Sequence, residues 1–583
     1  MFKKIWLIIA VMTAGFILAA CQPAPPPDAG NAAEIAELQA QLDEAMASGE
    51  ANEDEIARLQ AELEAAGATA TEEPASPDDF TLTVGSPFLP SGFDPATHSG
   101  NATNEQRRNM GESLIYWAKV EDPDNPGAYV HDYSVVEGLL AESWTVSDDG
   151  LVWTFTLRKG VMSHAGNEMT AADVKYTWDR HFGTEGYGSF LVGLHRLESA
   201  DSVVVIDDYT IEFTTIEPVA LAALAGIYAN TQSHILDSAE YLANSTSDDP
   251  FSTGWAATNY AGFGPYKIEE FTPGSQMVLV AHEDYWQGAP EIKRVIVREI
   301  PDASTRAILA ATGELDIAEW LDASTAVSLK DTESVTVWSG GNLWAGLIMN
   351  NETPPLDDVR VRQALSYATP YDAIRDLAYS GLAKPWRSLG VPDFLIGYTE
   401  ENFPYDENLD TARDLLAEAG YEEGELELTL RYATQFAGHD DICGLIKTNW
   451  AQIGVIVTCS AIPEAQIDEI FGGVPLFLWE DSWLSPDPGY TVFVSWYTGG
   501  AWNPANYSNE QYDAEVLQCL QTLDLEERVE VCTAATKYPL AEAAWIFLAA
   551  PAQNIAYDSC LTGLTWYTSR DIRFDGLSIG PDC

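Results

Sequence analysis

The segment of residues 138–180 constrains the fold of this chain more than any other, because it predicts a β-hairpin followed directly by an α-helix. Trp144 and Val146 alternate with polar residues before an Asp-Asp-Gly turn at 148–150. After the turn the alternation resumes, and its apolar members are Trp153, Phe155 and Leu157. A period of two on both sides of an Asp-Gly turn indicates two half-buried antiparallel strands.

The second half of this segment has the features of a helix start. Thr170 stands three residues before Asp173, and Val174 and Trp178 follow at helical spacing. A threonine at the N-cap and an acid at the third helical position can each accept a hydrogen bond from the other's backbone N–H. We therefore expect a helix that begins directly after Thr170. Taken alone, this pattern fits any twisted β-sheet that is followed by a helix.

Residues 1–20 have the features of a signal peptide. Lys3 and Lys4 precede an apolar run over residues 5–18, and about 14 apolar residues are too few to span a bilayer. The run ends in Leu-Ala-Ala-Cys at 18–21, which is similar to a bacterial lipobox. We expect cleavage after residue 20 and lipidation of Cys21, which would tether the protein to the outer face of the cell membrane. The alternative is an ordinary signal peptide that happens to precede a cysteine.

Residues 21–79 form a predicted spacer with a helical part. Residues 22–30 are rich in proline and indicate an extended linker. Apolar residues then keep one heptad register from Ile35 to Ala66, which is typical of a coiled coil or a helical hairpin. The flanking acids would repel between identical chains, and Ser48-Gly49 interrupts the first helix, so we favour a hairpin or flexible stalk and a monomer.

The cysteines predict disulfides. After Cys21, all of them lie in the last third of the chain, at Cys443, Cys459, Cys519, Cys532, Cys560 and Cys583. An even number in an extracytoplasmic protein favours disulfides over metal ligands. Many pairings are possible, and pairing of nearest neighbours along the chain would close the shortest loops. The eight histidines lack an HExxH or HxH spacing, so we expect no metal site.

The charge excludes one class of partner. The chain has 90 acidic and 29 basic residues and a net charge of −61. Such an excess of negative charge repels phosphate backbones, so nucleic acid is not a partner. Solubility or a salty habitat explains the charge, and so does a cleft that attracts cations.

The body over residues 80–583 is too long for a single core and predicts two lobes. Strand patterns at 203–206 and 210–213 and a helix pattern at 303–312 are examples of an alternation that runs through it. The predicted fold class is α/β, or mixed α+β, and the period alone does not fix the topology.

Several segments of the body together carry a family resemblance. Besides residues 138–180, they include Ser-Gly-Phe-Asp-Pro at 91–95, Gly-Phe-Gly-Pro-Tyr at 262–266 and the helix start within 355–365. In this order they resemble the bacterial extracellular solute-binding proteins, family 5, which deliver peptides, nickel or oligosaccharides to ABC importers.

The resemblance implies a two-lobed periplasmic-binding-protein fold that closes over its ligand by a hinge motion. It places lobe one at 80–342 with a family-specific subdomain at 113–205, lobe two at 343–544, and a C-terminal return to lobe one at 545–583. The signal peptide and the lipidated stalk precede these lobes.

The resemblance also implies ligand contacts just after the Ser-Gly-Phe-Asp-Pro turn, at Ser99, Gly100 and Asn101. Tyr187 and Trp344 are further candidates, in a loop after the signature helix and at the entry to lobe two. A plain loop, core packing or surface exposure is the alternative for each of them.

The segment of residues 479–488 departs from the family pattern. Peptide-binding members have a tryptophan, then an aspartate that holds the ligand's ammonium, then an Asp-Pro or Glu-Pro pair. Here Trp483 is followed too soon by Asp487 and Pro488. That aspartate is therefore missing, or it is replaced by Asp487, Asp481 or Glu480.

The function implied is that of a lipid-anchored receptor that passes an oligopeptide-like solute to the permease and ATPase of an ABC importer. An oligosaccharide or an organic cation is an alternative cargo, because aromatic rings stack on sugars and attract cations. A secreted hydrolase or a surface sensory protein is the alternative class. The sequence lacks an HExxH motif, so we expect neither catalysis nor a cofactor.

Overall fold

A computed structural model describes residues 80–98, 100–184, 186, 188, 196–228, 230–463, 474–500 and 502–580. They belong to the second of the two compact units into which the chain divides, Asp79–Cys583. The predicted signal peptide, Cys21 and the stalk lie outside the described residues. Within the described ranges, no helix combines the length and the apolar character needed to cross a membrane.

The first part of the body contributes twelve described strands and seven described helices to one lobe. The strands are β1 (Thr81–Ser86), β2 (Ile115–Glu121), β3 (Tyr129–Gly138), β4 (Ala141–Val146), β5 (Val152–Leu157), β6 (Val203–Asp207), β7 (Thr210–Thr214), β8 (Tyr266–Thr272), β9 (Gln276–Ala281), β10 (Arg294–Glu299), β11 (Ile317–Leu321) and β12 (Val335–Gly340). The helices are α1 (Asn101–Met110), α2 (Ala171–Gly183), α3 (Leu221–Tyr228), α4 (Ser238–Ala243), α5 (Thr253–Ala256), α6 (Ala303–Thr312) and α7 (Ala323–Leu329).

The second part forms the other lobe, and the chain then returns to the first. The strands of the second lobe are β13 (Leu343–Met349), β14 (Leu426–Ala433), β15 (Val455–Ile462), β16 (Leu476–Ser482) and β17 (Trp545–Ala549). Its helices are α8 (Val359–Tyr367), α9 (Tyr371–Ala373), α10 (Leu409–Ala419), α11 (His439–Ala451), α12 (Pro488–Trp496), α13 (Glu510–Gln521), α14 (Leu525–Ala535) and α15 (Lys537–Ala541). The return consists of β18 (Gln553–Asp558), β19 (Leu561–Thr562), β20 (Thr565–Tyr567), β21 (Asp571–Arg573) and β22 (Ser578–Ile579).

The predicted hairpin and the capped helix are both confirmed. Strands β4 and β5 pair antiparallel, with Trp144 opposite Phe155. Thr170 caps α2 in a capping box with Asp173. The apolar residues of β4 are not all buried as the alternation predicts, because Val146 is 46% exposed. Strand β4 lies at the edge of its sheet, where a side chain can face solvent on either side.

Lobe one is built on a seven-stranded mixed sheet in the order β12-β18-β11-β1-β10-β9-β8. Strand β1 lies at its centre, parallel to both β10 and β11. Its residues Leu82 and Val84 are fully buried, as expected for a central strand that is covered on its faces. Strand β18 comes from the C-terminal return and fits between β11 and β12.

Lobe two is built on a five-stranded sheet in the order β15-β14-β16-β13-β17. The two-lobed mixed α/β fold is confirmed, and the chain crosses between the lobes from β12 to β13 and again from β17 to β18. The boundary expected at residue 545 is wrong, because β17 pairs antiparallel with β13 in lobe two. The return to lobe one begins only after Ala549.

The subdomain expected at 113–205 extends beyond residue 205 in the structure. Strand β6 pairs with β7, which completes a four-stranded sheet β4-β5-β7-β6 and extends beyond residue 205. Strands β2 and β3 belong to another sheet, β2-β3-β20-β21, whose last two strands come from the C-terminal return. The sequence period does not indicate which strands are neighbours in a sheet. The boundaries at residues 205 and 545 therefore could not be predicted from it.

Two disulfides lie in lobe two. Cys443 on α11 is bonded to Cys459 on β15, and Cys519 on α13 to Cys532 on α14. These are the nearest-neighbour pairings that the sequence favours. Cys560 is also in a disulfide, whereas Cys583 lies outside the described residues.

Candidate functional site

A small cavity lies where the two lobes meet. Its volume is about 30 Å³. Lobe one contributes Asn101, Asn104, Asn230, Thr568, Ser569 and Arg570 to its walls, and lobe two contributes Ser482 and Leu484. Most of these side chains carry an amide or a hydroxyl, so the walls offer hydrogen bonds in both directions.

The N-terminus of α1 forms one part of the lobe-one wall. Gly100 is its N-cap residue, with φ of 130°, and no side chain caps the first turn. That turn also contains no acid. The backbone N–H groups of a first helical turn have no partner within the helix and favour negative charge.

Asn104, one turn further along α1, is held in place by its own lobe. Its side-chain oxygen accepts hydrogen bonds from Arg107 Nη2 at 2.7 Å, Gln232 Nε2 at 3.0 Å and Thr231 Oγ1 at 3.1 Å. Three donors on one oxygen fix the amide and turn its nitrogen away from them. The wall is therefore preorganised on this side.

Arg570 forms the other part of the lobe-one wall, in the turn between β20 and β21. Its Cζ lies 5.6 Å from the ring centroid of Trp320, a cation–π distance. Its Nη2 lies 4.0 Å from Asp481 Oδ1 in lobe two. Burial lowers the pKa of Arg570, and the nearby acids Asp481 and Glu480 oppose this effect.

Strand β16 supplies the facing acids of lobe two. Glu480 accepts a hydrogen bond from Tyr379 Oη at 3.0 Å and lies 3.8 Å from His439 Nε2. Burial, followed by the proximity of Glu480, raises the pKa of the Tyr379 hydroxyl. The Asp481 side chain is 41% exposed, and the backbone N–H of Ser482 donates to it at 2.8 Å. Asp481 therefore keeps acceptor capacity for a ligand.

A cluster of tryptophans lies behind this acidic edge. Trp483 stacks on Trp344 with ring centroids 5.5 Å apart, and Trp344 also contacts Trp386 and Trp545. Trp344 is 1% and Trp483 3% exposed. Both rings are core residues of lobe two in this conformation.

A comparison with known families decides the identity of the fold. The family model for bacterial extracellular solute-binding proteins, family 5 (middle), matches residues 135–515, more than half of the chain. The chain belongs to this family. As a family 5 solute-binding protein it is similar to proteins that bind their solutes outside the cytoplasm.

Curated relatives of this family 5 protein are named for different solutes. It is 28% identical to a heme-binding protein A of Haemophilus influenzae over 511 residues, 82% of this chain and 88% of the relative. It is 29% identical to a glutathione-binding protein of Salmonella typhimurium over 462 residues, 76% of this chain and 86% of the relative.

Solved structures share the fold of this family 5 protein. A dipeptide-binding protein of Pseudoalteromonas in complex with Met-Leu has a TM-score of 0.72 at 23% identity, over 86% of this chain and 100% of that one. A periplasmic binding protein of Helicobacter pylori in complex with the peptide STSA has the same TM-score and identity, over 86% and 98%.

The structure separates the candidate ligand residues of this family 5 protein. Asn101 lines the cavity, Gly100 precedes it, and Asp481 faces Arg570 nearby. Ser99 and Tyr187 lie outside the described residues. Trp344 and Trp483 pack in the core behind the cavity.

Asp487 has a structural role rather than the expected ligand contact. It is fully buried, caps α12 by accepting from the N–H of Tyr490 at 2.8 Å, and binds Arg528 through both oxygens at 2.7 and 2.8 Å. Both of its carboxylate oxygens thus have partners within lobe two, and Asp487 does not belong to the candidate site.

Sequence reasoning missed seven residues of the cavity wall, namely Asn104, Asn230, Ser482, Leu484, Thr568, Ser569 and Arg570. Ser482 and Leu484 lie within the segment of residues 479–488, which departs from the family pattern. For Asn104 the sequence signal is its position three residues after Asn101 on the same helix.

Proposed function

We propose that this family 5 protein is the substrate-binding receptor of an ABC importer and captures a peptide-like solute between its lobes. One observation supports this most directly: the polar cavity has walls from both lobes, and Asn342 and Gln553, at the two chain crossings, donate hydrogen bonds to Thr568 and Arg570 of its wall. A solute in such a cavity contacts both lobes at once, so its binding free energy favours the closed form over the open one.

The size of the cavity supports the same mechanism. At about 30 Å³ it holds roughly one water molecule, so a peptide enters only when the lobes separate. A permease can then distinguish loaded from empty receptor by the degree of closure. Two structural neighbours are complexes with peptides, and one curated relative is a glutathione-binding protein, which supports a peptide-like cargo.

The proposal includes the membrane anchor. The lipobox-like Leu-Ala-Ala-Cys at 18–21 supports lipidation of Cys21, with the monomeric receptor held at the outer face of the membrane near the permease and ATPase. Cys21→Ala should move the protein from the membrane fraction into the soluble extracytoplasmic fraction. Retention of the variant in the membrane fraction would contradict the anchor.

Ligand identity is tested by native mass spectrometry of the purified protein, followed by thermal shifts with peptides, oligosaccharides and polyamines. A ligand that binds only the folded state raises the melting temperature by mass action. We expect peptides to give the largest shift. A larger shift with a sugar or a polyamine would contradict a peptide-like cargo and favour that other class of solute. If no solute stabilised the protein and a substrate were consumed, the receptor function would be wrong.

A further inference from the structure

We propose that Arg570 is an anion-binding residue of the cleft, and that it exchanges Asp481 for a carboxylate of the incoming solute. The inference deepens the proposed function and rests on it. It assigns the solute to the class that carries a free carboxylate, such as a peptide with an unblocked C-terminus.

Three buried arginines of the described residues show how this protein holds a cation in its interior. Arg180 binds Asp94 through two hydrogen bonds at 3.0 and 2.8 Å, and Arg573 binds Glu112 at 3.2 Å and Asp575 at 3.0 Å. Arg528 binds Asp487 in the same bidentate manner. Each of these cations is saturated by the protein, as buried charges normally are.

The guanidinium of Arg570, by contrast, donates no hydrogen bond to any described residue. Its side chain is 21% exposed, and Asp481, at 4.0 Å, is the one acid within ion-pair range among the described residues. That distance is too long for a hydrogen bond. A cation with unused donors on the wall of a cavity is a binding group for an anion that the cavity admits.

The surroundings hold the guanidinium in a defined orientation. The indole ring of Trp320 lies beneath it, and the backbone carbonyl of Arg570 accepts from Gln553 Nε2 at 3.1 Å. Trp320 and Arg570 have φ of 53° and 67°, left-handed values that cost energy for non-glycine residues and concentrate at functional sites. The ring and the cation that meet here thus both belong to residues with uncommon backbone conformations.

The opposite wall is compatible with negative charge. Asn101, in the first turn of α1, and Asn104, one turn after the N-cap, line the same cavity, and the first turn has no acidic side chain. The described residues that line the cavity include no acid, so a carboxylate on Arg570 would meet amide donors there. Asp571, the lobe-one acid next to Arg570, is fully buried and is not one of these lining residues.

The pair with Asp481 is weak enough to be replaced. Asp481 is 41% exposed and 4.0 Å away, and ion pairs of this kind contribute little to stability. A carboxylate can instead bind a guanidinium through two parallel, charge-assisted hydrogen bonds. Exchange of partners also frees Asp481 to accept a hydrogen bond from the solute.

The test measures affinities of one dipeptide, Met-Leu, as the free acid and as the C-terminal amide, by isothermal titration calorimetry. We expect the unaltered protein to prefer the free acid by about 10-fold or more. Arg570→Gln should bring this ratio close to one. Arg570→Lys should leave an intermediate ratio, because lysine keeps the positive charge but cannot donate two parallel hydrogen bonds to a carboxylate. Arg298→Gln, which removes an exposed arginine of lobe one, should keep the full ratio.

Asp481→Asn provides a second measurement of opposite sign. N-acetyl-Met-Leu has a carboxylate and no ammonium, so it probes the anion site alone. Because Asp481 competes for Arg570, Asp481→Asn should strengthen binding of this compound several-fold. Weaker or unchanged binding would overturn the exchange, even if Arg570→Gln failed to fold.

The outcomes separate this inference from the proposed function. Binding of Met-Leu with the same acid-to-amide ratio in the unaltered protein and in Arg570→Gln overturns the role of Arg570 alone. If the unaltered protein binds neither form, the peptide-binding function is wrong, and the inference falls with it.

Discussion

The side-chain amide of Asn342 donates a hydrogen bond to the backbone carbonyl of Trp483 at 2.7 Å, across the point where the chain enters lobe two. The same nitrogen donates to the carbonyl of Thr568 in lobe one at 2.9 Å. Asn342 is fully buried. One side chain thus joins both lobes where the chain crosses between them, directly beside Ser482 and Leu484 of the cavity wall. We call this crossing the proposed hinge.

We expect Asn342→Ala to lower the free energy of unfolding by about 2–4 kcal/mol, because two buried carbonyls lose their donor. The measurement is urea unfolding, followed by tryptophan fluorescence. Small-angle scattering of the ligand-free variant should also show a larger radius of gyration, since the amide no longer holds the lobes together.

Asn402→Ala is the matched control for this hinge variant. Asn402 also donates two hydrogen bonds, to Thr533 and Thr536, but both partners lie within lobe two. We expect it to cost about 1 kcal/mol because the site is only half-buried, and to leave the radius of gyration unchanged. Equal expansion in both variants would contradict the hinge role of Asn342.

The ion pair between Asp487 and Arg528 predicts a stability effect without a binding effect. Asp487→Asn leaves the buried Arg528 guanidinium uncompensated, which should cost about 3–5 kcal/mol. Chemical denaturation measures this loss. Well below the melting temperature, the variant should bind a peptide ligand with the same affinity as the unaltered protein. A selective loss of affinity for cationic ligands would show instead that Asp487 contacts the ligand.

Local features of this fold could be predicted from the sequence, whereas long-range ones could not. The β4–β5 hairpin and the Thr170 cap depend on residues within one segment, so period and turn chemistry suffice. The assignment of β17 depends on which sheet accepts an apolar strand, and its sequence fits either lobe equally well. The boundary at residue 545 was wrong for that reason.

The candidate site shows the same limit. Asn101 was predictable because it follows a family turn, but Arg570 reaches the cavity only through the fold, from a segment more than 450 positions later in the numbering. Asp487 could not be assigned correctly because its partner, Arg528, lies on another helix. An acid that binds a ligand and an acid that neutralises a buried arginine are identical in sequence.

The disulfide between Cys443 and Cys459 closes a loop over a sequence separation of 16 residues. Replacement of both cysteines by serine should lower the free energy of unfolding by about 3 kcal/mol, because the unfolded chain regains the entropy of the open loop. The Cys519–Cys532 loop, with a separation of 13, should give a similar loss. Calorimetry of each double variant measures it, and an unchanged melting temperature would contradict the prediction.

His181 should make lobe one sensitive to acid. Burial, and next the charge of Arg180, lower the pKa of His181 from 6.5 to about 4. Between these values the unfolded chain binds a proton that the folded chain does not, so stability falls as the pH drops from about 6.5 to about 4. The site accounts for ~3 kcal/mol of this fall, and His181→Gln should reduce the difference in unfolding free energy between pH 7 and pH 4. An unaltered difference would contradict the shift.

Asp571, next to the proposed anion-binding residue, should act in the opposite direction. It is fully buried, with Arg108 Nε 3.6 Å from its carboxylate, and burial raises its pKa from 3.8 to about 6. Between these values the folded chain holds a proton that the unfolded chain has lost, so this site favours folding more strongly as the pH falls. Asp571→Asn removes this contribution and should enlarge the stability difference between pH 7 and pH 4, whereas His181→Gln reduces it. Urea unfolding at both pH values measures the two changes, and a change of the same sign in both variants would contradict the assignment of Asp571.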